Sequence, residues 1–218
     1  LGLSLMKSSM PDLSQSPEVL GFIRNWSGRG FLSVLLFLLL GTLLTLILQS
    51  SSATVAITLI MLEMGWIEFD MAAAMVLGEN IGTTITANIA AMVGNVNAKR
   101  AALAHTVFNV FGVIWALAAF TPFVRFIQWL VSLITDDPQT SLVYGISMFH
   151  TVFNLITTFI MIWFTKQIEK IVSAVIKDRS KKDEDASEGR IKYLDYGLVA
   201  TPELALGEAS KEADHFGM

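Results

Sequence analysis

The sequence predicts an all-α membrane protein: a re-entrant helical hairpin, a broken transmembrane helix and two further spans, then a truncated soluble helical segment. Three observations predict it. Of 218 residues, 53% are hydrophobic and 16% charged, where a soluble domain carries about 25% charged residues. The deficit is uneven, because residues 31–64, 71–93, 101–120 and 141–164 are almost free of charge while 166–190 is dense with it. Finally, two polar islands, QSSSAT at 49–54 and GENIGTTITAN at 78–88, interrupt the apolar stretches. Polar groups at membrane depth need partners, so such islands default to an ion or ligand pathway. The chain has no Cys, which excludes a disulfide framework and thiolate metal sites.

Residues 1–30 read as an interfacial N-terminal segment. Ser16, Pro17 and Glu18 make a helix start, and Arg24 and Arg29 flank Trp26 just before the first apolar run. The chain begins at Leu1 and is expected to be a piece of a longer polypeptide. Residues 31–48 would make a helix of about 27 Å and 53–64 only about 18 Å, against a hydrocarbon core of roughly 30 Å. A hairpin over 31–64 with QSSS near its tip therefore fits better than two full crossings. Residues 71–93 are long enough to span, but Gly78 and Gly82 bracket Glu79, Asn80 and Ile81. Two glycines around polar residues weaken a helix, so this span is expected to be broken into two halves. Residues 101–120 span again. The stretch 122–134, with Arg125 and Gln128 among aromatic and aliphatic residues, is expected to lie along the interface as an arm. A last span, 141–164, ends at Trp163; 165–190 reads as a charged cytoplasmic linker; and Thr201, Pro202 and Glu203 open a helix within 191–218. Lys99, Arg100, Lys166, Lys170 and Lys177 gather on one side, which puts the C-terminus in the cytoplasm.

Hydroxyls both donate and accept, so the islands suit an oxyanion or a hard cation. Gln49, Ser50, Ser51 and Ser52 stand before the second half of the hairpin, and Asn80, Thr83, Thr84, Thr86 and Asn88 stand in the second island. No Lys or Arg occurs within 31–93. A bound anion there would be neutralised by helix dipoles and co-bound cations. Glu79 is open to several readings: pairing with a cation or proton, a hydrogen bond to the hairpin tip, a protonated carboxyl, or a place beside a water-filled vestibule. HTVFN occurs at 105–109 and again at 150–154. His105 and Asn109, like His150 and Asn154, share a helical face. They either line a pathway or, the favoured reading, brace helices by interhelical hydrogen bonds.

In order, QSSSAT, GENIGTTITA and H-x-x-FN resemble the sodium/phosphate cotransporter family over roughly residues 31–164. The resemblance implies Na⁺-coupled symport of inorganic phosphate by alternating access across the plasma (inner) membrane of a bacterium, with Na⁺ as coupling ion and no other cofactor. It implies an inverted repeat of which this chain is the second half, the N-terminal repeat lying elsewhere in the parent. Carried over by motif, Gln49, Ser50, Ser51 and Ser52 contact phosphate, and Gln49, Ser52, Asn80, Thr83, Thr84 and Thr86 serve Na⁺. Glu79 departs from the small residue that many members have there. IKYLDYGLVATPELAL resembles the start of a PhoU-like helical domain. Alternatives are a carrier of another oxyanion (sulfate or a dicarboxylate) and a phosphate-responsive regulator acting through that tail. A homodimer is one assembly open to it; a nucleic-acid partner is not expected. Neither is an enzyme, since no G-x-S-x-G elbow accompanies the serines.

Overall fold

A computed structural model of the chain describes residues 29–177 together with Gly21 and Trp26. The chain divides into a compact unit up to Ile176 and a second from Lys177, and every described helix belongs to the first. The expected N-terminal helix at 16–23 apart from Gly21, the half of the charged linker from 178 to 190 and the PhoU-like segment lie outside the described residues.

Among the described residues the regular structure is helical: α1 (Phe31–Leu48), α2 (Ser51–Glu63), α3 (Phe69–Ala91), α4 (Val96–Ala118), α5 (Phe120–Ser132), α6 (Pro138–Met161), a 3₁₀ turn (Ile162–Phe164) and α7 (Thr165–Val175). Three stretches among the described residues are long and apolar enough to cross a membrane: Phe31–Leu48, Val96–Ala118 and Pro138–Val175. The chain is thus an all-α membrane protein. Local chemistry sets the boundaries. Gln49 ends α1 in the left-handed conformation, at φ 51°. Ser50 then turns extended and its Oγ accepts from the Ala53 N–H to start α2, as an N-cap serine does. Asn95 caps α4 through the Ala98 N–H, and Asp137 caps α6 through the Thr140 N–H with Pro138 following.

α3 is the axis of the fold. It packs against α1, α2, α4 and α6, and its residues Met71 to Glu79 are all buried. The expected break at Gly78–Gly82 is absent, and α3 runs unbroken for 23 residues. The glycines have another use. A methyl group on Gly78 would overlap the Leu38 carbonyl, one on Gly41 would overlap the Met75 carbonyl, and one on Gly82 would lie 2.6 Å from Thr45 Cβ. The two backbones meet where these small residues face each other, the usual solution for helices in lipid. Thr42 stitches the crossing, its hydroxyl donating to the carbonyls of Leu38 (2.9 Å) and Gly78 (3.0 Å).

α4, α5 and α6 close a second cluster around Trp115, Phe123, Phe149 and Phe153, with ring centroids 4.9 to 5.8 Å apart, and Trp115 Nε1 donates to Thr157 Oγ1 at 3.0 Å. The arm expected at 122–134 is α5, an amphipathic helix that starts at Phe120 and buries Phe123, Val124, Ile127 and Val131. Three of the spans start earlier than expected: α3 at Phe69 rather than 71, the fourth helix at Val96 rather than 101, because Asn95 caps it, and the last span at Pro138 rather than 141. The expected linker does not begin at 165, for residues 165–175 form α7, which packs on α4 through buried Val172. Its apolar residues recur at helical spacing, and the charge density of the segment hid that pattern.

Candidate functional site

The first island is the corner between α1 and α2. Ser50 is the cap, and Ser51 and Ser52 form the first turn of α2 rather than a loop before it. Gln49 and Ser52 are exposed; Ser50 and Ser51 are half-buried. The Ala53 N–H is taken by Ser50 Oγ (3.3 Å) and the Thr54 N–H by the Ser50 carbonyl (3.1 Å). The N–H groups of Ser51 and Ser52 therefore have no partner among the described residues. They carry the partial positive charge of a helix start, a preformed environment for an anion.

The second island has the opposite character. Each polar side chain except Glu79 donates to its own helix: Asn80 Nδ2 to Val76 O, Thr83 to Glu79 O, Thr84 to Ile81 O, Thr86 to Thr83 O and Asn88 Nδ2 to Thr84 O, all at 2.8 Å. This back-bonding keeps α3 intact through a polar stretch. It also spends the hydroxyl hydrogens, so half-buried Thr83 and Thr86 and the amide oxygen of Asn80 present lone pairs. Thr84, by contrast, is buried. Asn88 reaches α4, donating to Thr106 Oγ1 at 2.6 Å.

Among the described residues no hydrogen bond joins Gln49–Ser52 directly to Asn80–Thr86. The link runs through buried threonines, of which only Thr54 belongs to a motif. Thr54 donates to the Ser50 carbonyl (3.1 Å), Thr45 donates to Thr54 Oγ1 (3.2 Å), and the Thr45 side chain sits against Gly82. One turn along α2, Thr58 donates to Glu79 Oε1 at 3.3 Å. The spacing of Thr54 and Thr58, four apart on one face of α2, is the signal that could have found this seam.

Glu79 is 1% exposed. The vestibule reading is therefore corrected, as is contact with the hairpin tip: Glu79 meets the middle of α2, and its Oε2 has no partner among the described residues. The His and Asn of the two HTVFN copies make no hydrogen bond to the islands among the described residues, although Thr106 of the first copy accepts from Asn88 Nδ2. Asn109 and Asn154 donate to the carbonyls of His105 (3.1 Å) and His150 (2.8 Å), within their own helices. The expected interhelical bracing by these pairs is thus replaced by back-bonding four residues upstream; Thr106 of the first copy makes the bond to a neighbouring helix. No group of three or more His, Cys, Asp or Glu that could hold a metal occurs among the described residues.

An acceptor-lined helix face and a helix start with two free N–H groups are chemically suited to a cation and an oxyanion respectively. Residues 1–135 match the family described as Na⁺/Pi-cotransporter. The chain belongs to that family. YjbB of Escherichia coli (strain K12), whose name assigns it inorganic phosphate export, is 27% identical over 223 residues, covering 100% of this chain and 37% of YjbB. YqeW of Bacillus subtilis (strain 168) is 32% identical over 177 residues, 80% of this chain and 52% of YqeW. The sodium-dependent phosphate transport protein 2C of Mus musculus is 40% identical over 84 residues, 37% of this chain and 14% of that protein. The chain thus spans little more than a third of YjbB and about half of YqeW. No solved structure gives a significant match.

Proposed function

We propose that the parent protein is a Na⁺-coupled carrier of inorganic phosphate, and that this chain supplies one of the two hairpins of its site. The observation that carries the reading is the unpartnered start of α2, lying in a stretch, 31–93, that contains no Lys or Arg. The N–H groups of Ser51 and Ser52, with the side chains of Gln49, Ser50, Ser51 and Ser52, hold the phosphate oxygens. Na⁺ takes the lone pairs that back-bonding leaves outward on Asn80, Thr83 and Thr86, with Gln49 and Ser52 completing its shell. Thr84 supports that face from inside. The α1–α2 hairpin enters the membrane from one side and returns, since α2, at 13 residues, is about 20 Å long and falls short of a roughly 30 Å core. Its tip meets an inverted counterpart from the remainder of the parent, and rocking of the two halves alternates access. The C-terminus faces the cytoplasm of a bacterium.

Flux of radiolabelled phosphate in proteoliposomes of the full-length parent tests this. An imposed inward Na⁺ gradient drives accumulation, and Ser51→Ala or Ser52→Ala reduces it about tenfold or more while insertion and folding persist, a loss on the scale of one or two charge-assisted hydrogen bonds. Accumulation indifferent to Na⁺ overturns the coupling. Unchanged flux in both serine variants reduces QSSS to a structural cap. A second reading, export as the physiological direction, is favoured by the name of YjbB, and phosphate efflux from preloaded vesicles under a reversed gradient distinguishes it.

A further inference from the structure

We propose that α7 is an interfacial anchor that binds the anionic lipid headgroups of the leaflet next to the end of α6. The proposal concerns a surface apart from the transport site and holds whichever ion the parent carries. α6 ends at Met161 after 24 residues, about 36 Å of helix, and only Ile162, Trp163 and Phe164 separate it from α7. A helix of that length uses up a hydrocarbon core of roughly 30 Å, so α7 begins at the level of the headgroups. Trp163, 76% exposed, marks that level as interfacial tryptophans do.

The sequence of α7 has the pattern of a helix lying in the interface. Ile168, Ile171, Val172 and Val175 recur at i, i+3, i+4 and i+7, one apolar stripe. Val172 is buried against α4, whereas Ile171 (48% exposed) and Val175 (66% exposed) continue the stripe outward. Lys166 and Lys170 share the opposite flank four residues apart. The end of α7 is held to α4, because Arg100 Nε donates to the Ile176 carbonyl at 3.0 Å. Beside that bond a cleft of about 460 Å³ has walls of Ile85, Ile89 and Met92 with Lys99 at the side of Ile176, repeating the combination of apolar wall and cation. Burying Ile171 and Val175 among acyl chains while the cations face phosphates satisfies both halves of the helix. Water would satisfy only the lysines, and an acidic protein surface would leave the apolar stripe exposed.

The absence of Cys makes the test direct. The full chain is reconstituted in vesicles of phosphatidylcholine, alone or mixed equally with phosphatidylglycerol, with a nitroxide at Lys166→Cys, Lys170→Cys, Ile171→Cys or Val175→Cys. Labels at 171 and 175 are expected to relax preferentially with oxygen, and those at 166 and 170 with a water-soluble nickel chelate. In a second arm, spin-labelled phosphatidylglycerol associates with the chain in preference to spin-labelled phosphatidylcholine, and Lys166→Gln with Lys170→Gln lowers the preference by up to roughly fivefold per lysine. Nickel-accessible labels at 171 and 175, or labels there shielded from both reagents by protein, overturn the proposal. So does equal association of the two lipids, or a preference that excess inorganic phosphate abolishes, since the cations would then serve the transported anion.

Discussion

At the scale of single residues, Glu79 holds a buried side-chain oxygen with no hydrogen-bond partner among the described residues. Its other carboxyl oxygen receives the Thr58 hydroxyl. A buried acceptor left unpaired costs about 1–3 kcal/mol. Thr58→Val, which strips the remaining donor, is therefore expected to lower stability by about that amount, read as a fall in thermal unfolding temperature in detergent. Glu79→Gln keeps an acceptor for Thr58 and should leave the fold intact. If the carboxylate takes part in ion binding, the Na⁺ dependence of flux changes in this variant; an unaltered dependence assigns Glu79 to packing alone. Asp137 poses the opposite electrostatic case, in water at the start of α6. The Thr140 hydroxyl and N–H hold its carboxyl below the ordinary 3.8. The folded state then binds this proton less readily than the unfolded chain does. The cap contributes fully above the ordinary value and fades as pH falls through the lowered one. Asp137→Asn preserves a capping oxygen and should flatten that part of an acid titration of helix content.

At the scale of elements, the crossing of α1 and α3 decides the geometry. Replacing Gly78 by Ala raises the helix propensity of α3 by up to about 1 kcal/mol. The new methyl, however, meets the Leu38 carbonyl and the Thr42 N–H, which belong to backbone and cannot swing aside. Overpacking of that kind costs about 1–3 kcal/mol or more, so the clash outweighs the propensity. Gly78→Ala is expected to push α1 and α3 apart, to displace Thr42 from its bond to the Gly78 carbonyl and to lower the unfolding temperature in detergent. An unfolding temperature equal to or above that of the parent sequence would show that the crossing tolerates the methyl. The same crossing shows how a polar island can sit in an unbroken helix. Back-bonding by Asn80, Thr83, Thr84, Thr86 and Asn88 satisfies the side chains without opening the backbone.

At the scale of the whole molecule, the proposed reading gives this chain one part of a shared site. The free start of α2 and the acceptor face of α3 are connected by the Thr45–Thr54 bond and the contact of Thr45 with Gly82, yet Gln49 and Ser52 remain exposed. The relatives it matches are far longer than the part it covers. On the proposed two-hairpin site, the chain reconstituted alone inserts but carries no phosphate, whereas the full-length parent does; flux through the chain alone would show that copies of this hairpin suffice.

Much of the architecture is legible in the sequence alone. Charge-free runs of spanning length determine an all-α membrane protein, because hydropathy acts within a few residues of sequence, whereas the helix starts that Ser50, Asn95 and Asp137 set lie two to five residues before the apolar runs suggest. The order QSSSAT, GENIGTTITA, HTVFN determines the family. What Gly78 and Gly82 do was decided only in the fold, since a glycine that weakens a helix in isolation is indispensable where a second backbone lies against it. The seam of Thr45, Thr54 and Thr58, the burial of Glu79 and the docking of α7 on α4 likewise depend on helices distant in sequence, and no local pattern encodes which neighbour a threonine hydroxyl or a carboxylate will meet.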